Sequence, residues 1–262
     1  MDAPKAIIDL AQSTPARVGL AVESLDGTWG FVLRPDDIFT QASAIKIPIL
    51  WELHRQAAAG ELSLTERLTI EPINGAGGCG LLQNFLPGVS QLALADLGVA
   101  MIVLSDNVAT NLLIDRLGFD AVNALLEHLG AKQTRLRRKM IDVEARRAGR
   151  ENTSTPVEAV HLMRRLHEEE LAGDAVAAAV LKVLRLRKES PVTAALHKEM
   201  TIATKPGMLD GLRTEWSIIQ HHGVDYAQAL MADGADDTVL EPLFRHLTTA
   251  IRVETCKLAG RG

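Results

Sequence analysis

Cysteine is almost absent. Cys79 and Cys256 are the only two in 262 residues. Neither stands in a Cys-x-x-Cys pair or at a metal-ligand spacing, which excludes a disulfide framework and leaves both as small buried hydrophobes. Aromatic residues make up 3% of the chain, too few for a base-stacking platform. A basic surplus is lacking as well. The 28 Lys and Arg against 33 Asp and Glu leave a net charge of −5, which argues against nucleic acid as a partner. The longest apolar run, Leu97 to Leu104, stops at Ser105-Asp106-Asn107, far short of the roughly eighteen residues of a membrane span. The start, Met1-Asp2-Ala3-Pro4-Lys5-Ala6, has no basic stretch before an apolar core. As encoded the chain is expected in the cytoplasm, or in the periplasm or outside the cell if a leader was removed. The eight histidines include no His-Glu-x-x-His, so no motif speaks for a metal or cofactor.

What remains is an ordinary globular composition, 47% apolar and 23% charged, at a length that buries a sizeable core. Arg17 to Glu23 and Thr28 to Leu33 read as strands joined by the hairpin signal Asp26-Gly27. Ala6 to Ala11 and Ala44 to Ala59 read as helices, with Pro48 in the first turn or so of the second. From about residue 62 to 196 the periodicity is mostly helical. It covers Ala93 to Leu104, Ala109 to Leu117, Asp120 to Leu129, Pro156 to Glu170 and Ala175 to Leu186. Gly75-Ala76-Gly77-Gly78 reads as a loop, and the arginine-rich stretch from Lys132 to Asn152 as a long ordered one. Strand character returns at Met200 to Ala203, Thr214 to Ile219 and Tyr226 to Met231. A last helix is capped by Asp237 or Thr238. The order strands, helices, strands, helix predicts an α/β (α+β) fold in one domain. An antiparallel sheet is built from both chain ends (1–60 with 197–262), and a helical subdomain (61–196) is inserted between.

Three short motifs carry chemistry. In Ser43-Ala44-Ile45-Lys46 the i, i+3 spacing puts a hydroxyl and an amine on one helix face. Serine needs a neighbouring base to become a nucleophile, and a lysine serves once burial or another cation lowers its pKa. About one Ser-x-x-Lys arises by chance in a chain this long, so alone it reads as a helix cap beside a solvated lysine. Ser105-Asp106-Asn107 alone is a helix junction, and Lys205-Pro206-Gly207 a strand running into a turn. Together they are more specific. Ser43 is the one serine with lysine three places on, and Lys205 the one lysine with glycine two places on. The ordered set Ser-x-x-Lys, Ser-Asp-Asn, Lys-x-Gly is the signature of serine β-lactamases and penicillin-binding proteins.

On these residues the chain resembles the class A β-lactamase family and its related serine hydrolases. Phe39 to Pro48 is similar to the nucleophile segment, Leu94 to Leu113 to the central helices, and Asn152 to Pro156 to the end of the omega-shaped loop. The resemblance implies that Ser43 forms an acyl-enzyme with a β-lactam, or another small amide or ester, and that Lys46 takes its proton. Ser105 would relay a proton to the leaving nitrogen beside Lys205, and Asn107 would hold Lys46 and the substrate. The N–H groups of Ser43 and of Met208, which follows Gly207, would form the oxyanion hole. Lys205 and Arg213 would meet a substrate carboxylate. Two departures stand out. Pro206 replaces the usual threonine or serine of Lys-x-Gly, which removes a hydroxyl and an N–H from carboxylate recognition. The loop before Asn152 lacks Glu-x-x-x-Asn, leaving Asp142 and Glu144, and then Glu151, as the nearest candidates for a deacylation base. The alternatives are a penicillin-binding or peptidase-like relative that deacylates slowly, an esterase on the same scaffold, and a binding module that kept the fold.

Overall fold

The computed structural model describes residues 1–71 and 77–260. Helix α1 (Lys5–Gln12) leads into the expected hairpin of β1 (Arg17–Ser24) and β2 (Gly30–Leu33), where Leu20 faces Leu33. β3 (Phe39–Thr40) is followed by a 3-10 turn over Ala42–Ile45 that runs without a break into α2 (Lys46–Ala58). The middle of the chain carries β4 (Arg67–Thr69), β5 (Gln91–Ala93), α3 (Leu94–Val103), α4 (Asn107–Leu117) and α5 (Phe119–His128). Then come α6 (Val143–Arg147), β6 (Thr153–Ser154), α7 (Pro156–Leu171), α8 (Ala175–Leu184) and α9 (Pro191–Ala195). The chain closes with β7 (Thr201–Leu209), β8 (Leu212–Gln220), β9 (Tyr226–Asp233) and α10 (Asp237–Leu258).

Five strands form one antiparallel sheet in the order β2-β1-β9-β8-β7. The two chain ends meet in it, Leu20 of β1 lying opposite Leu230 of β9. Strand alternation divides the side chains between two cores. Trp216, Ile218, Ala227, Ala229 and Met231 join the core shared with the middle helices. Ile219, Tyr226, Leu230 and Ala232 join the core with α1 and α10. β8 and β9 are buried along almost their whole length, so neither shows a clean period of two.

Some expectations are corrected. β7 continues to Leu209, so Lys205-Pro206-Gly207 lies within an edge strand rather than at its end. The middle region also holds strands: β4 pairs with β5, and β6 pairs with β3 of the first segment. These are only two or three residues long, too short to show a period. Asp236, not Asp237 or Thr238, caps α10, its carboxylate accepting the Thr238 N–H at 2.9 Å. Cys79 is exposed and Cys256 half-buried, so neither is a core residue. Gly75 and Ala76 of the glycine-rich loop lie outside the described residues. Among the described residues no helix is long and apolar enough to cross a membrane.

Candidate active site

Ser43 stands in the 3-10 turn that opens α2. The Lys46 N–H donates to the Ser43 and Ala44 carbonyls. With three residues per turn, side chains at i and i+3 eclipse one another, so Ser43 and Lys46 share a face. The segment is held in a costly conformation, Ala42 having a left-handed φ of 44°. Gln41, which is fully buried, supplies the restraint. Its side-chain amide donates to the Phe39 carbonyl at 2.9 Å and accepts from the Trp216 indole N–H at 2.9 Å. Its backbone carbonyl accepts the Thr214 hydroxyl at 2.9 Å, and its N–H donates to the Asn152 carbonyl at 2.8 Å. These contacts tie the nucleophile segment to the sheet and to the 137–152 loop.

Two lysines from distant stretches meet at one hydroxyl. Lys46 is fully buried, and its Nζ donates to the Ser105 carbonyl at 2.8 Å, Ser105 Oγ at 3.2 Å and Asn107 Oδ1 at 3.0 Å. Lys205, equally buried, donates to Ser105 Oγ at 3.1 Å and to the Pro206 carbonyl at 2.7 Å. Burial in this low-dielectric setting holds the Lys46 amine well below the usual lysine range, and the positive charge of Lys205 adds to the effect. Burial likewise pushes Lys205 down to about 7, helped by the charge of Lys188 and opposed by Glu215. A lysine kept neutral is a base, and Ser105 is placed to pass a proton between either amine and a third group. Ser105 itself has a left-handed φ of 52°.

The Ser105 turn is fixed by Asp106, which caps α4 by accepting the Ala109 N–H at 2.9 Å. Its second oxygen accepts the N–H groups of Leu81 and Leu82 at 2.6 and 2.9 Å. That grips the 77–82 loop against the turn so closely that only glycine fits at position 80, where a Cβ would lie 2.3 Å from Asp106 Oδ2. Asn107 completes the link, its amide donating to the Gly77 carbonyl at 3.0 Å. The 137–152 loop is closed at its neck by Asn152, whose Oδ1 accepts the N–H groups of Arg137 and Arg138 at 2.8 and 3.0 Å. It is fastened to α4 by Asn111, which bonds both the N–H and the carbonyl of Met140, at 2.8 and 3.2 Å.

β7 closes the site from the sheet side. A Cβ on Gly207 would sit 2.8 Å from the nitrogens of Ser43 and Ala44 and the carbonyl oxygen of Gln41, so the strand backbone lies directly on the nucleophile turn. Two residues, Asp210 and Gly211, separate the paired Leu209 and Leu212. A two-residue hairpin makes that flanking pair a hydrogen-bonded one. Alternation then turns Gly207 and Lys205 toward β8, and turns the backbone of Met208 and Pro206 outward at the free edge. The Pro206 carbonyl, taken up by Lys205, fits this pattern. The N–H that proline lacks is one the ladder does not use. The Met208 N–H points outward one residue beyond the Gly207–Ser43 contact.

The structure thus brings together Ser43, Lys46, Ser105, Asn107, Lys205, Gly207 and the Met208 backbone. Four other candidates stand otherwise: Arg213 lies beside the site as the cross-strand partner of Met208, and Asp142, Glu144 and Glu151 belong to the 137–152 loop. Arg213 is bound to Asp237, donating to Oδ1 from Nε at 2.9 Å and from Nη2 at 2.6 Å, with Met208 Sδ at 3.4 Å. Asp142 caps α6, its Oδ1 accepting the Ala145 N–H at 2.8 Å. Glu144 points into solvent from the same short helix. Glu151 pairs with Arg138 at 2.7 Å and Arg146 at 3.2 Å. Sequence reasoning missed Gln41, Asn111 and Trp216 as organisers of the site. Gln41 and Asn111 lay within a few residues of a motif, and Trp216 lay far from any.

The comparisons bear on family and fold. A family model described as "Beta-lactamase enzyme family" matches residues 2–253. A β-lactamase of Rhodobacter capsulatus is 32% identical over 124 residues, 47% of this chain and 42% of that protein, so the match spans well under half of that relative's length. The crystal structure of a β-lactamase from Sphaerobacter thermophilus is 28% identical, with a TM-score of 0.85 and 95% of each chain covered. The structure of PBP-A is 26% identical, with a TM-score of 0.87 and 98% of each chain covered. A variant of PBP-A, captured as an acyl-enzyme complex with penicillin G, is 27% identical, with a TM-score of 0.82 over 94% of this chain and 95% of that one.

Proposed function

Because the chain belongs to the beta-lactamase enzyme family, we propose that it is a serine hydrolase of the class A type, opening β-lactam rings through an acyl-enzyme on Ser43. The observation that carries this reading is the bridge Lys46–Ser105–Lys205, set one 3-10 turn from Ser43. In acylation the Ser43 hydroxyl gives its proton to neutral Lys46 as Oγ bonds to the lactam carbonyl carbon. The oxygen takes on negative charge facing the N–H groups of Ser43 and Met208, each donor of this kind lowering the barrier by about 3–4 kcal/mol. As the C–N bond breaks, Ser105 Oγ–H protonates the leaving nitrogen and is recharged from a lysine ammonium. Water then cleaves the ester.

The last step gives a second reading its footing. Among the described residues no carboxylate hydrogen-bonds Lys46, Ser105 or the Asn107 side chain, so Lys46 is the base at hand for the attacking water. This favours a penicillin-binding type of protein, acylated readily and released slowly. One experiment separates the two: a chromogenic cephalosporin assay followed by intact-mass spectrometry. Turnover without a lasting adduct supports the β-lactamase. A persistent mass increase that vanishes in Ser43→Ala supports the slow-release protein. Signals untouched by Ser43→Ala dismiss the nucleophile. Lys46→Ala is expected to slow acylation about 10³-fold, and near-normal acylation would place the base elsewhere.

A further inference from the structure

The arginine-rich stretch around α6 is charged well beyond what its own ion pairs use. Residues 132–151 carry eight Lys and Arg against three Asp and Glu, whereas the rest of the chain carries 20 against 30. The stretch is a positive island on a protein that is otherwise strongly negative. Its cations also converge. The Glu151 carboxylate pairs with Arg138 at 2.7 Å and Arg146 at 3.2 Å. The Glu151 backbone carbonyl accepts from Arg137 Nη1 at 3.2 Å, and Arg150 is the next residue back in the chain. Burial, and then the positive charge of Arg135, holds the Arg137 guanidinium below the usual arginine range. One carboxylate does not balance so many guanidiniums.

The neighbouring acids add little. Asp142 is turned to the Ala145 N–H, Glu127 is taken by Arg135 and Asp115 by Lys139. Glu144 is exposed and subtracts one charge. Arg147 and Arg150 are exposed and, among the described residues, donate no side-chain hydrogen bond and form no ion pair. Between them stand only Ala148 and Gly149, also exposed, so nothing bulky holds a flat surface away from either. An apolar group lies beside them. Ala145 is the buried residue of α6, and Val143 and Arg147, two residues to either side of it, lie on the outer face of that turn. Val143 is 50% exposed. Glu151 already fills the point where the guanidiniums meet, so a single phosphate finds no open centre there. What the patch offers is outward positive charge with an aliphatic group at its edge, which suits an extended anionic interface. A dissolved polyanion would leave Val143 in water.

We propose that this stretch is a docking surface for a membrane leaflet rich in anionic phospholipid. Arg137, Arg146, Arg147 and Arg150 face the headgroup phosphates, and Val143 enters the interface beside them. Co-sedimentation tests it, with vesicles of equal parts phosphatidylglycerol and phosphatidylcholine and with vesicles of phosphatidylcholine alone. The proteins are the wild type, Arg147→Gln/Arg150→Gln, Val143→Ser and a control, Lys182→Gln/Lys198→Gln. The control removes the same net charge from two exposed lysines elsewhere, on α8 and just before β7. Thermal melting shows that each variant is folded. The wild type is expected to bind the anionic vesicles at about 0.1 M salt and to leave them at about 1 M, where the Debye length falls from roughly 10 to 3 Å. It ignores phosphatidylcholine alone. Each basic residue near an anionic surface strengthens partitioning about fivefold, so the double arginine variant binds about 25-fold more weakly. Val143→Ser loses about fourfold, the worth of one buried methylene, and the lysine control stays within twofold of wild type. Absent binding of the folded wild type overturns the inference. So does an equal loss in the two double variants, which assigns the effect to net charge. Unchanged binding in Val143→Ser overturns it as well, because α6 then does not enter the interface. Binding of soluble polyphosphate without binding of vesicles assigns the patch to a dissolved polyanion instead. Ser43→Ala binds vesicles as the wild type does, since docking needs no acyl-enzyme.

Discussion

Replacing Gly207 by alanine inserts a methyl group 2.8 Å from the nitrogens of Ser43 and Ala44 and the carbonyl oxygen of Gln41. These are backbone atoms, and the segment that carries them is anchored through Gln41 to Trp216, Thr214 and Asn152. No rotamer change relieves the overlap. Ordinary contact begins near 3.4 Å, so β7 and the nucleophile turn must part by about 0.6 Å. The proposed oxyanion donors, the Ser43 and Met208 N–H groups, lie on the two sides of that gap. Both have to reach one oxygen at about 2.7–3.1 Å. A misplacement of 1 Å costs roughly 10²-fold in rate, so acylation by Gly207→Ala is expected to slow about 10- to 100-fold. Overpacking lowers stability by about 1–3 kcal/mol. Single-turnover acylation by a chromogenic cephalosporin reads the first effect, and thermal melting confirms that the variant is folded at the assay temperature. Acylation within twofold of wild type in a folded Gly207→Ala protein would refute the oxyanion geometry derived from β7.

The two lysines make acylation depend on pH from both sides. The rate is expected to rise as Lys46 sheds its proton, at a pH well below the usual lysine range, and to fall as Lys205 loses its charge through about 7. Lys205→Arg stays charged and should carry the falling limb upward by more than one pH unit. A falling limb that does not move in a single-turnover pH series would show that the Lys205 charge is not the group titrating. Asp106→Ala removes acceptors for three N–H groups, those of Leu81, Leu82 and Ala109, from a site without solvent exposure. It is expected to lower stability by about 3–5 kcal/mol in denaturant unfolding, and a loss below about 1 kcal/mol would contradict the gripping role given to this carboxylate.

Much of the fold was legible because it is set locally. Asp26-Gly27 announced the β1–β2 turn, where Gly27 takes a φ of 74°. Thr155-Pro156 announced the start of α7, and the Thr155 hydroxyl does accept the Glu158 N–H at 3.3 Å. The long helices showed their 3.6-residue period because each faces one core. The two-residue strands β3 and β6 left no such trace, and they are what join the nucleophile segment to the 137–152 loop. Sequence also located the groups of the site, through motifs whose spacing limits what each can do.

Their assembly was another matter. Nothing in Ser105 or Lys205 by itself says that one hydroxyl will accept from amines lying 59 and 100 residues away in sequence. Nothing in the sequence said that Arg213 would pair with Asp237, or that Asp142 would cap α6. Residue identity and spacing along the chain fixed which groups were present and which helices and turns would carry them, since those depend on neighbours a few residues apart. Which amines are dry, which carboxylates are already spent, and which backbone donors lie bare at a sheet edge came only from the packed molecule. Burial and partnership arise from contacts between remote segments, and it is those contacts that set charge and direction.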